Sequence, residues 1–226
     1  MYMLSSEDDM SKIFDADNKF FSTLSKVFDM MVLNFLWLVT LVAFIGPACT
    51  GLYYATVKNI RRSRDYTARS FFHSFKTNFK PAAILGILQI VFGVGLYICY
   101  QFAISMNPDA YVGQVYYWVV IVTTLLYLMI SVYIYPILSR FDMKIFPIIR
   151  MAMYMSIRHI PTTIVGVAGL VVAFYCLKYI QLSPLFLFAP VLYVFVLSFP
   201  MEGVLRKYMP KKEDAGENEQ EAWYYE

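Results

Sequence analysis

The chain has 226 residues, 59% of them hydrophobic and only 15% charged, with a formal net charge of +3. A soluble domain carries about 25% charged residues, and here the charges cluster between apolar gaps of about 20 residues, enough to cross a hydrocarbon core of ~30 Å. Together with a mean hydropathy of +0.55, this excludes an ordinary soluble domain and predicts an all-α, polytopic membrane bundle.

The first 26 residues contain no apolar h-region, so no cleaved signal peptide is expected. Asp17 and Asn18 are suited to cap a helix on which Phe20, Phe21, Leu24 and Phe28 share one side and Lys19, Ser22 and Lys26 lie away from it. That pattern predicts an amphipathic lead-in to the first span. From Val27 to Ile60 the chain is apolar for 34 residues, broken by Gly46-Pro47. Either one span ends near Pro47, or the chain turns there and returns as a short second span.

Lysine and arginine arbitrate, because short cytoplasmic loops are enriched in them. With a turn at 46–47, 18 of the 19 Lys and Arg residues fall inside and only Lys178 outside. A single first span moves Lys12, Lys19 and Lys26 out, giving 15 against 4. The six-span reading is better, with both termini cytoplasmic and five spans as the alternative. The expected spans are about 27–45, 48–64, 81–104, 114–137, 161–180 and 184–205, within one transmembrane domain over 1–210. The external connections, around Gly46-Pro47, at 106–113 and at 180–184, are then short. Residues 211–226 form an acidic cytoplasmic tail of disordered composition.

The connector before the third span reads YTARSFFHSFKTNFKP at 66–81. On a helical wheel Ala68, Phe71, Phe72, Phe75 and Phe79 occupy one sector of about 100°. Arg69, His73, Lys76 and Lys80 form a narrow basic stripe opposite. From Lys58 to Lys80 there are seven positive residues and one negative. This predicts an amphipathic helix lying on anionic lipid, whose basic face can also dock a partner. The connector at 147–161, PIIRMAMYMSIRHIP, has only Arg150, Tyr154 and Arg158 on its polar side. A helix apolar nearly all round is normally buried, either against the chain's own spans or against another membrane subunit. Both connectors lead into a Pro-opened span, Lys80-Pro81 to Gly86 and Ile160-Pro161 to Gly166, a faint repeat of hairpins.

No phosphate-loop, nucleophile-elbow or metal-ligand spacing is present, and Cys49, Cys99 and Cys176 lie far apart in apolar stretches. No enzyme activity and no cofactor are expected. The span centres carry no charge. Their polar residues, notably Asn34, Gln89 and Gln101, are suited to hydrogen bonds between helices, or to lining a neutral solute path.

The stretches LNFLWL at 33–38, IGPACTGLYY at 45–54 and SFFHSFKTNFKPA at 70–82 resemble the YesL-like family of bacterial membrane proteins, a family of unknown function. The resemblance is strongest over 28–90 and looser but collinear beyond. It implies a place in the bacterial cell membrane beside carbohydrate uptake systems, notably importers of the ATP-binding cassette (ABC) type, and it supplies no catalytic residue. The expected function is therefore a non-catalytic accessory subunit that braces or regulates the permease of a carbohydrate ABC importer. A stand-alone facilitator of a neutral solute such as a sugar, or an envelope assembly or sensing factor, is the alternative.

Overall fold

The structure, a computed structural model, describes residues 19–42, 44–61, 66–106, 111–179 and 189–209. The expected N-caps Asp17 and Asn18, the arginines at 62 and 64, the connections at 107–110 and 180–188, and the tail at 211–226 lie outside the described residues, as do the side chains of Cys176 and Lys178.

Among the described residues the fold is all-helical. In chain order come α1 (Lys19–Leu41), α2 (Ile45–Ala55) running on as a π turn (Thr56–Arg61), α3 (Thr67–Thr77) and α4 (Phe79–Ser105). There follow α5 (Tyr111–Leu138), α6 (Ile145–Arg158), α7 (Ile160–Tyr179) and α8 (Ala189–Leu205). Three helices, α1, α4 and α5, are long and apolar enough to cross a membrane, and a fourth crossing is counted if the bent pair α6–α7 is one span. The expected six spans in three crossing hairpins do not emerge. Within 48–64 lie the rest of α2, only 11 residues long, and its π turn.

The departure is clearest at Gly46-Pro47. Pro47 sits in the first turn of α2, where its missing N–H leaves no bond unmade. Gly46 packs so closely on α4 that a Cβ there would lie 1.9 Å from the carbonyl oxygen of Ala82 and 3.2 Å from the Gly86 nitrogen. Phe44, one residue before α2, meets Phe79 edge-on at 4.8 Å between ring centroids. The α1–α2 turn is therefore level with the first two turns of α4, the end that begins at Lys80. From Gly86 to Ser105 roughly 28 Å of helix continues beyond it. The hairpin tip at Gly46-Pro47 stops partway along α4.

Two bends share a cause. Asn78 separates α3 from α4 with φ −96° and ψ 12°, and His159 separates α6 from α7 with φ −118° and ψ 57°. Each is followed within three residues by a proline, Pro81 or Pro161, which lacks the N–H needed to carry a helix through. The α6–α7 bend is 103°, so α6 lies across the bundle.

The core sits at the end of the bundle that carries these connectors. Tyr53, Leu85, Tyr133, Ile137, Ile148 and Met201 are buried there. Farther along, α4 and α5 run as an antiparallel hairpin held by Tyr100–Tyr117 and Phe102–Tyr116 ring contacts. Most of its surface is apolar and exposed, including Ile87, Val91, Phe92, Val119 and Val122, as suits helices bathed in lipid.

Candidate functional site

The α3 connector is amphipathic, as its periodicity predicts, and a third side, apart from the basic stripe and most of the aromatic sector, faces the core. Arg69, His73, Lys76 and Lys80 are all exposed. The buried residues are Thr67, Ser70, Phe71 and Ser74, so small hydroxyl side chains carry most of the contact. They allow a close approach: Phe71 is fully buried, and a Cβ on Gly51 would stand 3.2 Å from its ring and from its carbonyl oxygen. The Ser70 hydroxyl donates to Asn59 Oδ1 at 3.3 Å, and Thr67 donates to Asp29 Oδ1 at 2.7 Å, tying α3 to α1. Phe75 and Phe79 are half-buried and Phe72 is exposed. Helix α3 thus has three faces: Ser/Thr and Phe71 toward the protein, Ala68 and the remaining phenylalanines to one side, and the basic stripe outward.

Helix α6 repeats this arrangement. Ile148, Ala152, Met155 and Ser156 face the protein. Phe146, Met153 and Ile157, spaced about two turns and then one turn apart, form an exposed apolar stripe. Beyond it Arg150, Tyr154 and Arg158 are exposed. The Arg150 guanidinium lies 5.4 Å over the Phe146 ring, and Tyr154 meets Tyr208, after α8, edge-on at 6.1 Å. The expectation that a nearly all-apolar α6 is buried is met on one face only. Of its methionines Met155 is buried and Met151 half-buried, whereas Met153 is exposed.

Between the connectors lies a buried charge cluster. Glu202 Oε1 accepts from Arg140 at 2.8 Å and from Tyr53 at 3.0 Å. The Arg140 side chain is fully buried and that of Glu202 is 3% exposed. The π turn supports the site from α2: its β-branched residues form α-helix weakly, and at its end Arg61 donates to the Ser198 carbonyl at 2.7 Å while stacking 4.6 Å over Phe199. These residues stand in no motif. The available signal was that a carboxylate inside an apolar segment such as 189–205 needs a cationic partner, and Arg140 closes another such segment.

The three mid-span polar residues are not brought together. Asn34 is 1% exposed on α1, and neither of its amide atoms has a hydrogen-bond partner among the described residues. Gln89 is tied into the α4–α5 contact: its side-chain oxygen accepts from Tyr135, and its carbonyl accepts from Tyr127 at 2.9 Å. Gln101 lies exposed toward the far end of α4, donating to Tyr97 at 2.7 Å. Among the described residues no three His, Cys, Asp or Glu side chains converge, and Cys49 and Cys99 are free thiols.

A cavity of about 440 Å³ lies against the α1–α2 hairpin and is otherwise walled by α4, α5, α7 and α8. Its lining includes Trp37, Cys49, Gln89, Tyr135, Ala173 and Tyr193, and its surface is almost wholly apolar.

Residues 30–100, which hold Asn34, the Gly46 contact and the whole of α3, match the family described as "Protein of unknown function, DUF624". Over 153 residues, 64% of this chain and 70% of the relative, the sequence is 24% identical to "Uncharacterized protein YesL" of Bacillus subtilis (strain 168). No solved structure matches. Residues 30–100 thus carry a DUF624 region, whose description assigns no function, and the chain is similar to YesL.

Proposed function

We propose that the protein is a non-catalytic accessory membrane subunit of a bacterial carbohydrate ABC importer, docking the permease and anionic lipid through its basic connector helices. The observation that carries this reading is the shared three-faced pattern of α3 and α6. Each puts one face on the protein, leaves an apolar stripe for the bilayer, and turns its basic residues outward: Arg69, His73, Lys76 and Lys80, and Arg150 and Arg158 with Tyr154. A helix held this way keeps its cations at the membrane surface, each contributing about 1 kcal/mol toward an anionic leaflet, and leaves them free to meet a partner. The carbohydrate importer as partner rests on the family resemblance alone.

In the topology that suits this role, the bundle crosses the bacterial cell membrane an even number of times and both termini are cytoplasmic. The α1–α2 hairpin enters and leaves on the basic side. An even number of crossings keeps the 18 to 1 division of Lys and Arg that favours the basic side as cytoplasmic. A stand-alone sugar facilitator is less well supported, because Asn34, Gln89 and Gln101 line no common path and the cavity offers few free polar groups.

The test is purification of the full chain from its own host in mild detergent, followed by mass spectrometry. Permease subunits in stoichiometric amount are the expected result. Recovery of the chain alone, where a known importer stays intact, overturns the reading.

A further inference from the structure

We propose that the 440 Å³ cavity beside the α1–α2 hairpin is a binding site for a hydrocarbon chain of a membrane lipid. The α1–α2 hairpin forms one of its walls. Trp37 of α1 and Cys49, Leu52 and Tyr53 of α2 line the cavity, and the contacts of Gly46 with Ala82 and Gly86 hold the hairpin at that depth. Above the tip α4 and α5 continue for several turns with no partner from α1 or α2. The space that a full-length hairpin would fill is left between four apolar helices.

The lining chooses the ligand class. Four tyrosines reach the cavity wall, yet each spends its hydroxyl on the protein: Tyr53 on Glu202 at 3.0 Å, Tyr127 on the Gln89 carbonyl at 2.9 Å, Tyr135 on the Gln89 side chain, and Tyr193 on the Gly166 carbonyl at 3.3 Å. A ring with its hydroxyl engaged offers the cavity carbon rather than oxygen. The Ser131 hydroxyl is likewise turned back to the Tyr127 carbonyl at 2.8 Å. A sugar would leave its hydroxyls unpaired here, each costing about 1–3 kcal/mol. Water is no better as an occupant, since apolar cavities of about 150 Å³ stay dry. The volume falls within the range of ligand sites, about 300–1,000 Å³. In a chain surrounded by bilayer, the apolar solvent at hand is the lipid tail.

At the end nearest the connectors, Tyr53 both lines the cavity and donates to Glu202. The cavity is thus separated from the basic end of the bundle by the Tyr53–Glu202–Arg140 cluster, and a chain entering it stops at a buried ion pair.

The test uses the full chain in liposomes of phosphatidylglycerol and phosphatidylcholine, with a trace phosphatidylcholine bearing a terminal diazirine on one acyl chain. After irradiation the adducts are mapped by mass spectrometry. Adducts on Trp37, Cys49 or Tyr193 are expected, beside those on lipid-exposed Phe92 and Trp118. Ala173→Trp, filling the cavity from α7, is expected to cut the cavity adducts at least fivefold and leave those on Phe92 and Trp118 unchanged. Leu170→Trp serves as a second filler should Ala173→Trp not fold. Wild-type labelling confined to the outer helix faces overturns the proposal, as do cavity adducts that persist at full yield in a folded filler variant.

Discussion

Glu202 of α8 and Arg140 at the end of α5 form an ion pair of 2.8 Å, 62 residues apart in sequence, with Tyr53 of α2 donating to the same carboxylate oxygen. Three elements that share no local sequence signal are joined at one buried oxygen. Removing one member of such a pair leaves an uncompensated charge and costs about 3–5 kcal/mol, whereas replacing both by apolar residues is often neutral. Glu202→Leu and Arg140→Met are therefore expected each to lower the thermal midpoint in detergent strongly, and the double variant to recover most of the loss. A double variant as unstable as the sum of the singles would show that the two residues act independently.

The contact of Gly46 with Ala82 makes a second prediction. A methyl at 46 has no room, since the Ala82 carbonyl oxygen would lie 1.9 Å from it, so Gly46→Ala forces the hairpin off α4. Overpacking of this kind costs about 1–3 kcal/mol or more. Gly95, farther along α4, has nothing within 4 Å of the place a methyl would take, and Gly95→Ala gains helix propensity of about 1 kcal/mol. Unfolding midpoints of the two variants should move in opposite directions.

The faces of α3 can be told apart by truncation. Phe71 is fully buried against Gly51 and Phe72 is 40% exposed. Phe71→Ala is expected to cost about 3–5 kcal/mol and Phe72→Ala a small fraction of that. Equal effects in denaturant titrations would mean that the aromatic sector as a whole, rather than the Ser/Thr side, faces the protein.

Helix α6 should sit at the membrane surface with its Phe146 side in lipid and its Tyr154 side in water. With Trp37, Trp118 and Trp223 changed to Phe, a single tryptophan placed by Phe146→Trp is expected to be quenched well by lipids brominated along the chain. One placed by Tyr154→Trp is expected to be quenched weakly. Equal quenching at both positions would place α6 wholly in or wholly out of the bilayer.

Much of this was legible in the amino acids. The basic stripe of α3 and the Arg150–Tyr154–Arg158 side of α6 follow from a period of 3.6, and both are exposed as the spacing predicts. The prolines at 81 and 161 mark the two bends. Depth was not legible: counting Lys and Arg reports which side a loop is on, not how far along α4 the hairpin at Gly46-Pro47 reaches. The protein-facing side of α3 was missed for a physical reason too. Its large phenylalanines draw the eye as the side laid on lipid, whereas Ser70 and Ser74 permit the closer helix contact, and small residues are what helices in lipid use to approach one another. The Glu202–Arg140 pair and the cavity are tertiary, and no local pattern announces either.

The docking role turns on the outward face of α3. Arg69→Glu, Lys76→Glu and Lys80→Glu together reverse three exposed charges that take no part in the buried core, so the chain should still insert and fold. The measurement is the ratio of co-purified permease subunits to the chain, wild type against this triple variant, from native membranes in the same detergent. A docking role predicts a wild-type ratio near one to one and a loss of at least tenfold in the variant. An equal ratio in a variant that inserts normally would contradict it.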